Sequence, residues 1–392
     1  MKLKLVFSIL FILAISVIGC VTEFTAKLPA NYEEVLIVDG NIIENSTATF
    51  YLGKSVPLDS SVNLSENYVV AQITIIGSNG YQSPPAVYSG NGRYSMDVGT
   101  LDDDVKYGIQ IEYDGNTYQS ALSKPLYTPE IDSVSYIQQD STGTVLFRVS
   151  THDDDKREAR FYMWDYKEDW EVTAFFYTSV FLNLNDNTFY TRAPSPNFYC
   201  WKSATSKQYL IGSTESLKEN SIINKQLYER EPESDRFSYL YSVIINQKAI
   251  SKDAYDYYLN KITLNEEMGG LFTPQPSEVM GNITCITNPS KKVMGYIEII
   301  KNIAQKRIFI QTYQIKRPPI YSNCTAITND SVLTYLKSFQ GKYSDYYQMG
   351  YRPIGSLGQF DVPEYWAHVF CADCVYAGGS KNKPDFWPND DK

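Results

Sequence analysis

The 392-residue chain carries 45 acidic and 35 basic side chains, which gives a formal net charge of −10. Binding to nucleic acid or anionic lipid needs clustered Lys or Arg, so this charge balance excludes nucleic acid as a partner. The length predicts two or three domains. The 33 Tyr, 18 Phe and 5 Trp favour strands, in which aromatic side chains pair across neighbours; a stacking surface for sugars or peptides is the other interpretation.

Residues 1–19 have the pattern of a lipoprotein signal peptide. Lys2 and Lys4 precede a stretch over residues 5–18 that is apolar except for Ser8 and Ser16, and Gly19 stands directly before Cys20. A basic start, an apolar core and a small residue at the cut site are typical of export followed by cleavage. This fourteen-residue stretch is shorter than the roughly 18–20 residues that span a bilayer. We therefore expect lipidation of Cys20 and a lipidated tether over residues 20–32.

The residues after the cleavage site bear on localisation. Loss of Lys2 and Lys4 with the signal peptide changes the net charge to −12. Val21 follows Cys20 where an Asp would favour retention in the inner membrane, so we expect a lipid anchor in the outer membrane. A single acidic residue nearby, Glu23, slightly favours the cell-surface face over the periplasmic face.

Residues 33–125 predict an N-terminal antiparallel sandwich of Ig-like or transthyretin-like type. The clearest element is a hairpin over residues 107–120, in which Asp114 and Gly115 supply the positive φ angles of a tight turn. Residues 90–94 are similar to a segment of transthyretin-like sandwiches. Short strands with regular spacing favour a sandwich; the other predicted strands cover 34–39, 49–52 and 71–76.

Pro125 and Pro129 mark the predicted domain boundary, because proline interrupts regular backbone pairing. Residues 126–392 are expected to form a larger β-rich C-terminal domain, so the whole fold is mainly β. Residues 152–156 are expected to form a hairpin loop between two of its strands. The predicted strands of this domain cover 144–150, 160–164 and 239–247.

Two short helices are predicted in the second half of the chain. The first lies near residues 251–262, where Ser251 is a suitable N-cap and Ile250 and Tyr255 have the spacing of a hydrophobic staple. The second lies near residues 329–340 and ends before a glycine. Both have an apolar face that is typical of core packing.

Several short stretches occur together in a recognisable order. They cover residues 38–40, 92–94, 118–120, 272–277, 281–284, 288–289, 293–296, 371–374, 378–379 and 383–387. Together they resemble the DUF4249 lipoproteins of Bacteroidota. The resemblance implies an accessory or ligand-capture role, because genes of that family tend to lie beside genes for TonB-dependent outer-membrane receptors. Cys285 stands where the family usually has a polar residue, and the resemblance therefore implies that it is the unpaired thiol.

The other four cysteines of the exported chain are Cys200, Cys324, Cys371 and Cys374. Thiols in an oxidising compartment usually pair, so we expect two disulfides drawn from these four. A zinc site that combines His368 with Cys371, Cys374 and Cys324 is one alternative. A redox-active pair of Cys371 with Cys374 is the other.

Hydrolytic chemistry finds little support in the sequence. Only His152 and His368 are available as the base of a Ser or Cys nucleophile. The chain has no Gly-x-Ser-x-Gly elbow, His-Glu-x-x-His helix or phosphate-binding glycine loop. The acidic runs 102–104 and 153–155 leave a calcium site open, although neither has the Gly and Glu of a recognisable calcium loop. We expect no catalytic residue and no cofactor.

These observations favour a non-enzymatic outer-membrane lipoprotein that associates with a TonB-dependent receptor in nutrient capture or uptake. Exposed Trp and Tyr are frequent hot spots, so the docking surface is expected to include some of Tyr365, Trp366, Phe386 and Trp387. A C-terminal core cluster is the other interpretation of those four. The alternative functions are an extracellular glycan or peptide hydrolase with unrecognised carboxylates, and a surface adhesion or structural protein.

The anchoring hypothesis is testable at Cys20. Thioether attachment needs its sulfur, so Cys20→Ala is expected to abolish lipid modification and to leave the chain soluble or uncleaved. Incorporation of radiolabelled palmitate measures the modification directly. Labelling that persists in the variant would exclude Cys20 as the lipidated residue.

Overall fold

The computed structural model describes residues 34–56, 67–140, 143–153, 159–192, 196–267, 281–318, 323–358 and 361–388. The signal peptide, Cys20 and the tether fall outside these residues, as do the stretch 272–277 and the acidic residues 154 and 155. The predicted mainly β fold is confirmed. Among the described residues, no helix is both long and apolar enough to cross a bilayer.

Eight strands precede residue 125 among the residues that the structure describes. They are β1 (Leu36–Gly40), β2 (Ile42–Ile43), β3 (Thr47–Lys54), β4 (Gln72–Gly77), β5 (Val87–Tyr88), β6 (Arg93–Asp97), β7 (Tyr107–Tyr113) and β8 (Asn116–Ser120). The predicted hairpin is β7–β8, with φ of 52° at Asp114 and 69° at Gly115.

Sixteen further strands and four helices follow in the described residues. The strands are β9 (Ile131–Ile137), β10 (Val145–His152), β11 (Phe161–Thr173), β12 (Val180–Asn183), β13 (Thr188–Thr191), β14 (Tyr199–Thr205), β15 (Leu210–Ser213), β16 (Ser221–Arg230), β17 (Leu240–Ile250), β18 (Ile283–Cys285), β19 (Val293–Met294), β20 (Ile299–Ile300), β21 (Ala304–Gln311), β22 (Ile327–Thr328), β23 (Tyr351–Leu357) and β24 (Pro363–His368). The helices are α1 (Lys252–Glu267), α2 (Asn329–Lys337), α3 (Tyr343–Gln348) and α4 (Val369–Ala372).

Both predicted helices are present as α1 and α2. Ser251 Oγ accepts the Ala254 backbone N–H at 3.1 Å, which is the expected N-cap bond of α1. At the start of α2 the cap is Thr328, whose side chain accepts the Ser331 N–H. The six-residue α3 and four-residue α4 are too short to give a periodic signal in the sequence.

The N-terminal sandwich consists of two sheets around one apolar core. One sheet has the order β19-β1-β3-β6-β5, and the other has the order β18-β8-β7-β4. Strands β18 and β19 come from late in the chain, and β20 pairs in parallel with β2. Residues 283–300, which the sequence pattern assigns to the C-terminal domain, thus supply strands to the N-terminal sheets. Strands of two or three residues are too short to show the alternation from which strands are predicted.

A second core lies between the sheet β14-β11-β17-β21, which β15 joins at β11, and the sheet β16-β10-β9. The thirteen-residue β11 is central, because it pairs with three different strands. The predicted hairpin around residues 152–156 is wrong, since β10 and β11 lie in different sheets. The short separation of the two strands in the sequence indicated a tight turn, but β10 pairs with β9 and β16, and β11 pairs with β14, β15 and β17. The strands β22-β24-β23 pack with α2 and α3 in a further cluster.

The four expected cysteines form two disulfides. Cys200 pairs with Cys374 across a Cα distance of 5.8 Å, and Cys324 pairs with Cys371 across 5.7 Å. Cys371 and Cys374 are therefore bonded to different partners. This pairing excludes the redox-active pair, and it removes the thiolates that the alternative zinc site needs. Cys285 is free and buried in the N-terminal sandwich.

A buried ion pair joins the two sheets of the second core. Glu168 of β11 is fully buried, and Arg230 of β16 donates to both of its carboxylate oxygens, from Nε at 2.9 Å and from Nη2 at 2.8 Å. The Tyr241 hydroxyl donates to Glu168 at 2.8 Å, and Arg236 Nε lies 3.2 Å away. Arg230 also stacks on the ring of Tyr228, 4.8 Å from its centroid.

Removal of the Glu168 charge is expected to destabilise the fold strongly. Glu168→Gln leaves Arg230, whose side chain is only 25% exposed, without its counter-charge, so the free energy of unfolding should fall by about 3 kcal/mol. Urea denaturation followed by Trp fluorescence measures the change. The matched control is Glu215→Gln, which removes an exposed ion pair with Lys252 and should leave stability unchanged. Equal losses in the two variants would contradict a structural role for the buried pair.

Candidate functional site

The four aromatic residues proposed for docking do not form one surface. Trp366 is fully buried among Phe189, Tyr343 and Tyr346, whereas its neighbour Tyr365 is 43% exposed on the other side of β24.

Phe386 and Trp387 lie against Phe309 of β21. Trp387 is 5% exposed and Phe386 is 38% exposed. The two tryptophans are therefore core residues, and only Tyr365 and Phe386 remain available for contact.

The histidines and acidic runs are also dispersed. His152 Nδ1 lies 2.7 Å from Asp132 Oδ1, while His368 is at the end of β24, in another sheet, and stacks on Phe370 of α4. In the run 102–104, Asp103 pairs with Lys301 and Asp104 pairs with Lys124. Across the described ranges, no group of three or more His, Cys, Asp or Glu side chains is arranged to hold a metal ion.

A cleft of about 250 Å³ lies where β1 and β19 meet α1. Two of the stretches singled out in the sequence, residues 38–40 and 293–296, form one wall of this cleft although more than 250 residues separate them. We call it the tyrosine cleft; it is lined by Ile37, Val38, Asp39, Tyr209, Tyr257, Tyr258, Lys261, Met294, Gly295 and Tyr296.

Two glycines allow the close approach of the backbone at this wall. Gly295 has a φ of +148°, and a Cβ there would overlap the carbonyl oxygen of Val38. A Cβ on Gly281 would overlap the carbonyl of Gly295. Asn282 fixes the same region, because its side chain donates to the Ile297 carbonyl and accepts the Ile297 N–H, both at 2.9 Å. The sequence stretch Gly281-Asn282 therefore shapes the cleft wall.

Four tyrosines form a continuous row of ring contacts in the cleft. The centroid distances are 5.0 Å for Tyr209 and Tyr258, 5.1 Å for Tyr258 and Tyr257, and 5.3 Å for Tyr257 and Tyr296. Tyr257 and Tyr258 are buried by the packing of α1, while Tyr209 is 39% exposed at the rim. The row gives the cleft an apolar floor edged with hydroxyl groups.

Lys261 supplies a positive charge beside the tyrosines. Its Nζ donates to the Tyr209 hydroxyl at 3.1 Å and lies 5.0 Å and 5.3 Å from the ring centroids of Tyr209 and Tyr257. Burial opposes the charge, but the hydrogen bond to Tyr209 and the charge interactions with both tyrosines outweigh it, so the pKa of Lys261 is raised. Lys261 therefore stays protonated near neutral pH.

A hydrogen-bond chain runs from the cleft into the interior. Ser251 Oγ lies 3.1 Å from the Tyr296 hydroxyl and donates to Glu298 Oε1 at 2.8 Å. Glu298 is 3% exposed, and burial raises its pKa to about 7 despite the hydrogen bonds from Ser251. Nearby Asp253 adds to this rise. Burial also raises the pKa of Tyr296 to about 12.

The lining residues from α1, and Tyr209 directly before β15, belong to none of the stretches singled out in the sequence. A partial signal exists, because Tyr257 and Lys261 are four residues apart and so share one face of a helix. Their proximity to Asp39 and Tyr296 follows only from the tertiary fold.

The family model for a domain of unknown function (DUF4249) matches residues 21–306. The chain belongs to the DUF4249 family. Every described residue that lines the tyrosine cleft lies within the match to this DUF4249 domain. No curated protein matches the chain.

Glu298 gives the DUF4249 domain a predictable dependence of stability on pH. Below pH 4.5 the carboxyl is protonated in both states. Between 4.5 and about 7 the unfolded chain loses this proton first, so the free energy of unfolding falls as the pH rises. The fall attributable to Glu298 amounts to about 3 kcal/mol. Glu298→Gln, which cannot ionise, should therefore be more stable than the parent near pH 8 and similar to it near pH 5.

Urea unfolding at both pH values measures this difference. Glu112→Gln, which changes an exposed carboxylate on β7, is the matched control and should follow the parent at both pH values. A Glu298→Gln variant that kept the full pH dependence of the parent would contradict the assignment.

Proposed function

We propose that the protein is a non-enzymatic, lipid-anchored binding protein of the outer membrane that captures a glycan in the tyrosine cleft. The observation that carries the proposal is the row of four tyrosines beside Lys261 and Asp39. Tyrosine rings offer flat apolar area to the C–H faces of a sugar, and their hydroxyls can exchange hydrogen bonds with its hydroxyls. A few polar groups on an apolar floor are typical of ligand sites.

The membrane placement and the partner rest on the sequence. The lipoprotein signal pattern at residues 1–20 supports the anchor. The family resemblance supports association with a TonB-dependent receptor, to which a captured glycan would be passed for uptake. Tyr365 and Phe386, the two exposed members of the aromatic set, are the contacts that we propose for the receptor.

One observation favours the alternative of a glycan hydrolase. Glu298 has a pKa raised to about 7 and connects through Ser251 to the cleft residue Tyr296. Carboxyl groups with raised pKa values act as general acids in glycosidases. Glu298 is nearly inaccessible, however, and its hydrogen bonds within the fold account for its position. We therefore rank binding above hydrolysis.

Glycan binding is tested by calorimetric titration of the full-length protein in detergent with a panel of neutral oligosaccharides. Tyr209→Ala removes a rim ring that is 39% exposed, and it is expected to weaken binding about tenfold, since a ring contact contributes roughly 1–1.5 kcal/mol. Tyr313→Ala removes a tyrosine that is 85% exposed and outside the cleft, and it should bind as the parent does. Absence of binding across the panel, or equal affinities for both variants, would contradict glycan capture in this cleft.

The receptor association and the lack of catalysis need a second experiment. The native protein, extracted gently, is expected to co-purify with an outer-membrane barrel receptor and to release no products from glycans or peptides. Tyr365→Ala together with Phe386→Ala should weaken the association while the melting temperature stays unchanged. Robust hydrolysis that disappears in Glu298→Gln would replace the binding proposal with the hydrolase alternative.

A further inference from the structure

A second cavity, of about 220 Å³, lies outside the tyrosine cleft, and the two have no lining residue in common in the described part of the chain. Its walls come from β12, β13, β23 and the segments that precede β14 and follow α4. We call it the arginine pocket, after Arg192 and Arg352 in its lining; Tyr190, Tyr347, Asn197 and Asp373 also line it. We propose that this pocket binds a small molecule through a single carboxylate group.

The arginines have donors to offer to a ligand. Within the described part of the chain, the Arg192 guanidinium makes no hydrogen bond or ion pair, and the side chain is exposed. Arg352 Nη1 donates to the carbonyls of Tyr347 and Tyr351, at 2.8 Å and 2.9 Å. Its Nε and Nη2 groups have no partner among the described residues. A guanidinium presents five donors in a fork that matches a carboxylate.

Aromatic stacking holds Arg352 in place. Its guanidinium carbon lies 3.5 Å from the ring centroid of Tyr347 and 5.6 Å from that of Tyr376. The two hydrogen bonds from Nη1 to backbone carbonyls also fix the orientation of the guanidinium plane. The side chain is thus ordered before a ligand arrives, which reduces the entropy lost on binding.

The charged side chains that line the arginine pocket favour a ligand with a single negative charge. Asp373 is the only acidic residue among the described lining residues, and the local fold already occupies its oxygens. Asn197 Nδ2 donates to Oδ2 at 2.6 Å, and the Val375 N–H donates to Oδ1 at 2.8 Å. Two arginines and one aspartate leave a single positive charge. One carboxylate would neutralise it, whereas a phosphate dianion would leave an uncompensated negative charge.

Covalent and hydrogen-bond constraints make the pocket rigid. Asp373 lies between Cys371 and Cys374, which are bonded to Cys324 and Cys200 respectively. The Cys374 N–H donates to the Asn197 carbonyl at 3.0 Å, which ties the tail to the wall before β14.

The opposite wall is tied in the same way. The Arg192 N–H donates to the Ser179 carbonyl at 2.8 Å, and the Ser179 N–H donates to the Gly355 carbonyl at 3.1 Å, which connects the end of β13 to β23. A preformed pocket of this size holds one sugar ring or a short peptide end. The carboxylate could therefore come from a uronic acid or from a peptide C-terminus.

Titration calorimetry on the full-length protein in neutral detergent distinguishes these sources. The probes are sodium glucuronate, N-acetylalanine, neutral glucose and inorganic phosphate. Glucuronate or N-acetylalanine is expected to bind and glucose is not; the better of the two carboxylates identifies the source. Phosphate that binds more tightly than either carboxylate, or no binding by both carboxylates, would overturn the proposal.

Variants place the binding in the pocket. Arg192→Gln removes an exposed side chain that makes no hydrogen bond or ion pair to the described residues, so it should fold normally and weaken carboxylate binding at least tenfold. Arg192→Lys keeps the charge but loses the fork, and it should also weaken binding. The matched control is Arg93→Gln, an exposed arginine on β6, which should bind as the parent does. Unchanged affinity in Arg192→Gln would overturn the assignment.

The proposals for the tyrosine cleft and for the arginine pocket can be tested independently of each other. Tyr209→Ala should leave carboxylate binding unchanged, and Arg192→Gln should leave the binding of neutral oligosaccharides unchanged. Parallel losses in both variants at constant melting temperature would contradict two separate sites.

Discussion

The buried carboxylate of Glu168 is the constraint on which the second core depends. A charge in an apolar interior is costly unless a counter-charge and hydrogen bonds surround it. Arg230 and Tyr241 meet this requirement from two different strands, one in each sheet. Any slip of β11 by one residue would turn Glu168 to the opposite face of the sheet and break these bonds. The ion pair therefore fixes how the two sheets pack.

The N-terminal sandwich depends on a different constraint, the return of the chain after α1. Strands β18 and β19 extend its two sheets, and the glycine at residue 295 lets this returning segment approach β1 without steric overlap. The tyrosine cleft forms along this junction, because α1 and the segment before β15 pack next to it. The packing of the returning segment therefore both completes the sandwich and forms a wall of the tyrosine cleft.

The abundant aromatic residues have two separate roles. Trp366 and Trp387 fill cores, and their burial fits the strand-pairing interpretation of the composition. The tyrosines of the cleft are also partly packed, but their hydroxyl groups and one exposed ring border an open cavity. In the proposed function this second group contacts the ligand. In the further proposal the arginine pocket recognises a charged group, and its lining includes residues beyond the region that the DUF4249 match covers.

The sequence by itself determined the features that depend on neighbouring residues. The Asp114-Gly115 turn, the N-cap of α1 and the β-rich composition all follow from local conformational preferences, and the structure confirms them. The export signal is likewise a pattern of neighbouring residues, and export remains a prediction. Only the tertiary structure decided which cysteines pair, that residues 283–300 complete the first sandwich, and that two tryptophans are buried. Both cavities combine residues from distant parts of the chain, and such contacts depend on long-range packing that leaves no periodic pattern in the sequence.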